Sequence, residues 1–370
     1  MSLRLLPTTI LLCVPALACT GDKDEPAEDT APTIGVLGGG TNSLDGVDLA
    51  IVADADDGLA RPMDLGFNPR STDQLWVVSQ DENGMSVIFD AGTDNHSSEF
   101  YHSMGSDHFC VAPSAIAFSD FGNFGTAQDT DDRTQGAATP ADFMGPVLWD
   151  DNLDIFDSGH GSHLDMLHNS PLGGGMAWDE GNAYWYFDGY HGSITWYDFV
   201  EDHDYGGADH SDGVIRRYVE GEVARFEGIP SHMELDRTTG LLYIADTANG
   251  RIAVMDTNVG EEGSTLRPNY DGVDQKMMDG GEIWTLVDNS TLPDNITLRE
   301  PAGLAIKDGI LYLSDHGTGG ILGFDLEGNL IDWINTERGS DALGGIDFGP
   351  DGAMYVTDVN ANEILRFSAK

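Results

Sequence analysis

Three segments in the last third of the chain repeat one pattern, and this repetition constrains the fold more than any other feature. Residues 230–236 lead through Thr239-Gly240 to 241–246 and then 249–256. Residues 301–306 lead through Asp308-Gly309 to 311–315 and 320–325, and 344–348 lead through Asp351-Gly352 to 354–358 and 362–367. Each unit reads as three short strands. The glycine-containing turns suit hairpins, and the near-continuous apolar runs suit strands covered on both faces. Weaker copies begin at Pro62, Pro113 and Gly174, the second followed by a strand at 123–128 and a long insertion. That makes six units. Repeats of this period stack around a shared core.

The last unit has three strands and Lys370 follows shortly after Phe367. The strand-like segment 48–53 belongs to no unit. It is expected to supply the missing outer strand and tie the two ends together, so that few strand edges stay exposed. The expected fold is all-β, a six-bladed β-propeller closed by an N-terminal strand.

The units resemble NHL repeats, whose members read roughly Pro-x-Gly-Ile-Ala, Tyr-Val-Ala-Asp, Asn-x-Arg-Ile. The match is strongest at 230–256, with Tyr243-Ile244-Ala245-Asp246 and Asn249-Gly250-Arg251-Ile252. The resemblance implies a propeller over residues 48–370. In such a ring the start of each first strand and the end of each second strand share one face around the channel. That face collects Asp64, Asp188, Tyr190, Asp246, Asp315 and Asp358, and with them His191, His232 and His316. The aspartate of the Tyr-x-x-Asp pattern caps loops in NHL repeats generally, which implies a structural role for Asp246, Asp315 and Asp358. NHL units usually carry glycine where His232 stands.

Histidines cluster in the middle of the chain. His160, His163 and His168 lie in a segment leading into the third unit, His191 follows its second strand, and His203 and His210 flank an acidic loop. The order of elements puts His168, His191 and His232 on one rim, with His316 farther round. Neutral imidazoles with carboxylates suit zinc or copper. A related six-bladed enzyme family, the peptidyl-hydroxyglycine amidating lyases, holds zinc with three channel histidines, two of them directly after a blade-opening proline. Here Ser231 follows Pro230, and His232 comes one residue later. A one-residue shift reverses side-chain direction in a strand, so only a channel metal carries over, not the lyase site. Separately, Asp202, Asp204, Asp209 and Asp212 sit among Gly206, Gly207 and Gly213, oxygen ligands of the kind calcium takes.

The chain carries 64 acidic against 17 basic residues, a net charge of −47. Nucleic acid and anionic lipid are poor partners for such a surface. Residues 1–18 hold one basic residue, Arg4, then an apolar run too short to span a bilayer. With Ala16 and Ala18 before Cys19, this reads as a signal peptide. Ala16-Leu17-Ala18-Cys19 resembles the bacterial lipobox, which implies acylation of Cys19, and Thr20 in place of aspartate implies the outer membrane. Residues 19–47, rich in Asp, Thr, Pro and Gly, are expected to form a flexible tether. The membrane would then be reached through the lipid alone. Once Cys13 is cleaved away and Cys19 lipidated, Cys110 has no disulfide partner.

Three functions stay open: binding of a protein, peptide or glycan on the channel face; a metal-dependent lyase or hydrolase at that face; and a structural surface lipoprotein. No nucleophile–base motif appears, which favours the first. The anchor is directly testable. Cys19→Ser should move the protein from the membrane to the soluble fraction and abolish fatty-acid labelling; unchanged, unlabelled membrane association would overturn lipidation.

Overall fold

The computed structural model describes residues 33–102, 109–131, 143–156, 163–205 and 207–370. Cys19 and the signal segment lie outside the described residues, as does His160. The described chain is a six-bladed propeller. Blade one comprises strands Pro62–Phe67, Gln74–Ser79, Gly84–Phe89 and Ser97–His102. Blade two comprises Pro113–Phe118, Asn123–Gln128, Val147–Asp150 and His163–Met166. Blade three begins with Gly173–Trp178, Ala183–Asp188, Ser193–Asp198 and Val214–Tyr218. Blade four comprises Met233–Asp236, Leu241–Asp246, Arg251–Asp256 and Ile283–Val287. Blade five comprises Pro301–Lys307, Ile310–Asp315, Gly320–Asp325 and Leu330–Asn335. Blade six takes Leu343–Phe348, Met354–Asp358 and Glu363–Ala369 from the C-terminal end and Val47–Ala53 from the N-terminal side.

This last pairing is the closure expected from the sequence. Val47 lies opposite Ala369, Leu49 opposite Phe367 and Ile51 opposite Leu365, antiparallel. The apolar runs are explained by the stacking of blades. Six buried clusters fill the six interfaces between neighbouring blades; Trp76 and Val78 of blade one, for example, pack with Phe124 and Trp149 of blade two. Each blade therefore buries both faces, and alternation between polar and apolar residues vanishes.

Blade three carries an addition the repeat pattern did not reveal. A hairpin of Glu261–Thr265 and Asp274–Asp279, inserted before the outer strand of blade four, reaches back to pair parallel with Val214–Tyr218. Arg216 fixes it with 2.7 Å contacts to both Glu262 and Asp274. His163, read from sequence as part of a loop, instead begins the outer strand of blade two.

The flexible tether expected over residues 19–47 does not extend to its end. A 3-10 turn at Gly35–Leu37 docks on blades five and six, with Ile34 and Leu37 buried in their shared core. Asp332 accepts the Ile34 and Gly40 amides, both at 3.0 Å. Gly323 leaves the space these side chains fill: a Cβ there would stand 2.4 Å from Ile34. The low apolar content of the segment hid two anchoring residues. Leu37→Ala should therefore cost about 2–5 kcal/mol of stability, as large-to-small changes at fully buried sites do. Denaturant melts of the two proteins would show it; equal midpoints would mean that the segment contributes no packing.

Candidate functional site

The six innermost strands converge on the axis, and polar groups on and beside them link each blade to the next. Asp64 accepts the Ile116 amide, Ser114 Oγ donates to Gly173 O, and the Ser231 amide donates to Gly174 O. The His232 amide donates to Ala302 O, Ser314 Oγ to Gly344 O, and the Phe67 amide to Asp347. Two glycines permit the approach: a Cβ on Gly175 would meet Ser231 O at 2.0 Å, and one on Gly345 would meet Asp64 Oδ1 at 2.2 Å. His232 then crosses the channel. Its Nε2–H donates to Ser114 O of blade two at 3.1 Å, and its Nδ1 stands 3.5 Å from Asp64 of blade one.

Beyond this plug lies a cavity of about 320 Å³. Its walls run from Asp64 and His232 past Glu234 and Asp347 to Trp178, Asp120 and Arg237. The last three lie at the ends of first strands or in the turns that follow them. The cavity therefore opens on the face opposite to the one expected from sequence. On the expected face, residues 224–229 reach over the ring: Arg61 Nη2 donates to Gly228 O at 2.7 Å, and Arg225 pairs with Asp129 at 2.6 Å.

Of the expected channel-face residues, Asp64 lines this cavity. Asp188, Asp246, Asp315 and Asp358 instead hold loops. Asp188 accepts the Tyr190 and His191 amides, Asp246 the Ala224 amide and Arg251, Asp315 the Arg299 amide, and Asp358 the Ala361 amide. Tyr190 is exposed, with its ring edge-on to His191.

The four histidines read as one metal site do not share one set of ligands. His168 bonds Asp271 at 2.7 Å, His191 bonds Asp188 at 2.7 Å, and His232 occupies the plug. His316 bonds Leu343 O and groups with Glu300 and Asp341. Nor do the four loop aspartates converge. Asp202 accepts the Asp204 amide, Asp209 the Ser211 amide and Asp212 the Glu201 amide. These local caps compete with the shared calcium site expected from composition. Among the described residues, the groups with three potential ligand atoms within 4.8 Å are Asp165, His203, His210 and Glu300, His316, Asp341.

The residues missed in the sequence are Glu234 and Asp347. Burial drives the Glu234 carboxyl up to about 8, with the charges of Asp347 and Asp64 adding to the effect. Burial likewise raises Asp347 to about 6, against the lowering by the Phe67 and Phe348 amides. Asp64 is raised by burial too, opposed by His232 and two amides. The signal was a lone acidic residue inside an otherwise apolar inner strand, as in Met233-Glu234-Leu235 and Ile346-Asp347-Phe348. Cys110 is buried without a disulfide and its thiol is pushed up to about 12, which makes it unreactive.

No family model matches the chain, and no curated protein matches it. Solved structures do. An auxiliary nutrient binding protein from Bacteroides ovatus aligns over 83% of this chain and 69% of its own, with 14% identity and a TM-score of 0.52. Virginiamycin B lyase from Staphylococcus aureus aligns over 88% and 100%, with 12% identity and a TM-score of 0.50. A luciferin-regenerating enzyme aligns over 88% and 96%, with 12% identity and a TM-score of 0.53. At 12–14% identity, such likeness shows a shared propeller fold.

The cavity carboxyls set a pH dependence. Folded Glu234 holds its proton to about pH 8, whereas an unburied glutamate releases it near 4.5. Stability from this group is full below pH 4.5 and is lost as pH rises through about 8. Glu234→Gln should therefore melt closer to wild type at pH 5 and progressively higher than wild type toward pH 8.5. A constant difference across that range would show that Glu234 ionises normally.

Proposed function

We propose that this protein is an exported, lipid-anchored propeller that binds a glycan, or the terminal sugar of one, in the central channel, with Glu234 as the anchoring group. The observation that carries this reading is the state of Glu234. Its carboxyl faces the cavity, and among the described residues no hydrogen bond or ion pair engages it. A carboxyl raised to about 8 is mostly protonated at neutral pH and can both donate to and accept from a sugar hydroxyl. Asp64 and Asp347 are fixed acceptors, oriented by backbone amides.

The rest of the lining suits the same ligand. Phe67, Phe118, Leu235 and Trp178 offer apolar surface near the mouth, with the Arg237 guanidinium 4.1 Å from the Trp178 ring. The cavity exposes more polar than apolar surface, which suits the hydroxyls of a sugar, and its volume lies in the range of small-ligand sites. The nutrient-binding neighbour from Bacteroides ovatus agrees with this assignment in fold. Export and anchoring rest on Cys19 and its preceding residues. Among the described residues, no helix is long and apolar enough to cross a membrane.

A lyase or hydrolase reading in the same cavity is favoured by one feature: an acid with a pKa near neutrality is suited to general acid–base work. Calorimetric titration against a panel of neutral and charged oligosaccharides tests the proposal. Binding by wild type should weaken about tenfold in Glu234→Ala, which removes both donor and acceptor, since leaving a buried polar group unpaired costs roughly 1–3 kcal/mol. Tyr190→Ala, on the opposite face, should bind as wild type. Absence of any glycan binding, or loss with Tyr190→Ala alone, would overturn the assignment.

A further inference from the structure

Away from the channel, the outer strand of blade two carries Asp165, and the loop between the third and fourth strands of blade three carries His203 and His210. One ligand atom from each lies within 4.8 Å of the other two. We infer that these three side chains form a site for one divalent first-row transition-metal ion, which clasps the loop of blade three to the edge of blade two.

The hydrogen bonds of the site prepare it for an ion. His203 Nδ1–H donates to the Asp204 carbonyl at 2.7 Å, which fixes the tautomer and leaves the Nε2 lone pair bare. That Nε2 is buried and has no hydrogen-bond partner. A backbone carbonyl holding the far nitrogen is the usual support of a metal-binding histidine. Asp165 is fully buried; its Oδ1 takes the Met166 amide and His210 Nδ1, both at 2.6 Å, and its Oδ2 has no partner. A buried carboxylate oxygen and a buried imidazole nitrogen left unpaired each carry a desolvation cost. A cation between them would remove both.

The donor set selects the class of ion. Two imidazoles and one carboxylate suit first-row transition metals and leave positions open for water. Calcium takes six to eight oxygens and has no use for imidazole. Ligand atoms on one zinc stand roughly 3.3 Å apart, given Zn–N bonds of about 2 Å, so closing the site takes only a small side-chain adjustment. The His210 side chain is 20% exposed, which provides a way in. Asp202, Asp204, Asp209 and Asp212 surround this entry in sequence. Their charge raises the local concentration of cations.

The full chain, stripped by dialysis against a chelator, should bind one equivalent of zinc by calorimetry. Cobalt in its place should give a visible d–d band that zinc abolishes. Zinc should raise the melting temperature, because it binds the folded state. His203→Ala and Asp165→Asn should each weaken binding by roughly 100-fold or more, beyond the loss seen when only a supporting group is removed. His191→Ala and Glu234→Ala should bind zinc as wild type, so that zinc binding and glycan binding fail independently. X-ray absorption at the zinc edge of the unmodified protein needs no variant. Two imidazole scatterers are expected. No zinc uptake, no imidazole in the spectrum, or unchanged binding in His203→Ala would overturn the site.

Discussion

Everything else in this protein depends on the meeting of six inner strands at one axis. The ring of hydrogen bonds from Asp64 through Ser114, Ser231, His232 and Ser314 to Asp347 links every blade to the next. Carboxylates in such a place are costly unless amides satisfy them. Asp64 and Asp347 each accept two amides, and in doing so bridge blades one and two and blades six and one. Gly175 and Gly345 let the backbones come close enough for the ring to close. The paired strands Val47–Ala53 and Glu363–Ala369 complete at the rim what the polar ring does at the centre.

The same constraint creates the cavity. With His232 bridging to Ser114 at one level, the channel is plugged from one side and the remaining space faces the other. Glu234 lies two residues beyond the plug, in the inner strand that His232 leads into, and lines the same cavity. Burial, reinforced by the two neighbouring carboxyls, keeps its proton on at neutral pH. The polar ring and the protonated glutamate are thus consequences of one arrangement, in which Asp64 and Asp347, which link the blades, also add to the burial that raises the group left free.

The edge of the ring follows a different logic. Loops there are not constrained by the axis, so they can bring distant residues together. Residues 201–205 and 207–213 lie against blade two and carry His203 and His210 to Asp165. Asp202, Asp209 and Asp212 of this loop cap its own turns, while His210 reaches Asp165 of the neighbouring blade. The loop at 224–229 likewise covers one end of the channel through Arg225 and Gly228.

The repeat pattern alone determined the six blades and the closing strand, because strands buried on both faces leave continuous apolar runs and an unpaired segment needs a place. The loop-capping role of Asp246, Asp315 and Asp358 was also legible, since the Tyr-x-x-Asp resemblance carries it. Tertiary structure decided the rest. Which end of the channel opens depends on whether His232 reaches Ser114, 118 residues away, and on a loop that spans the ring. Which histidines meet depends on loop paths that no local spacing encodes: His168, His191, His232 and His316 were near in topology but each found its own partner. His203 and His210 found Asp165 only because a loop of one blade lies against the edge of another. Repeats fix what is periodic, whereas these sites are built from what interrupts the period.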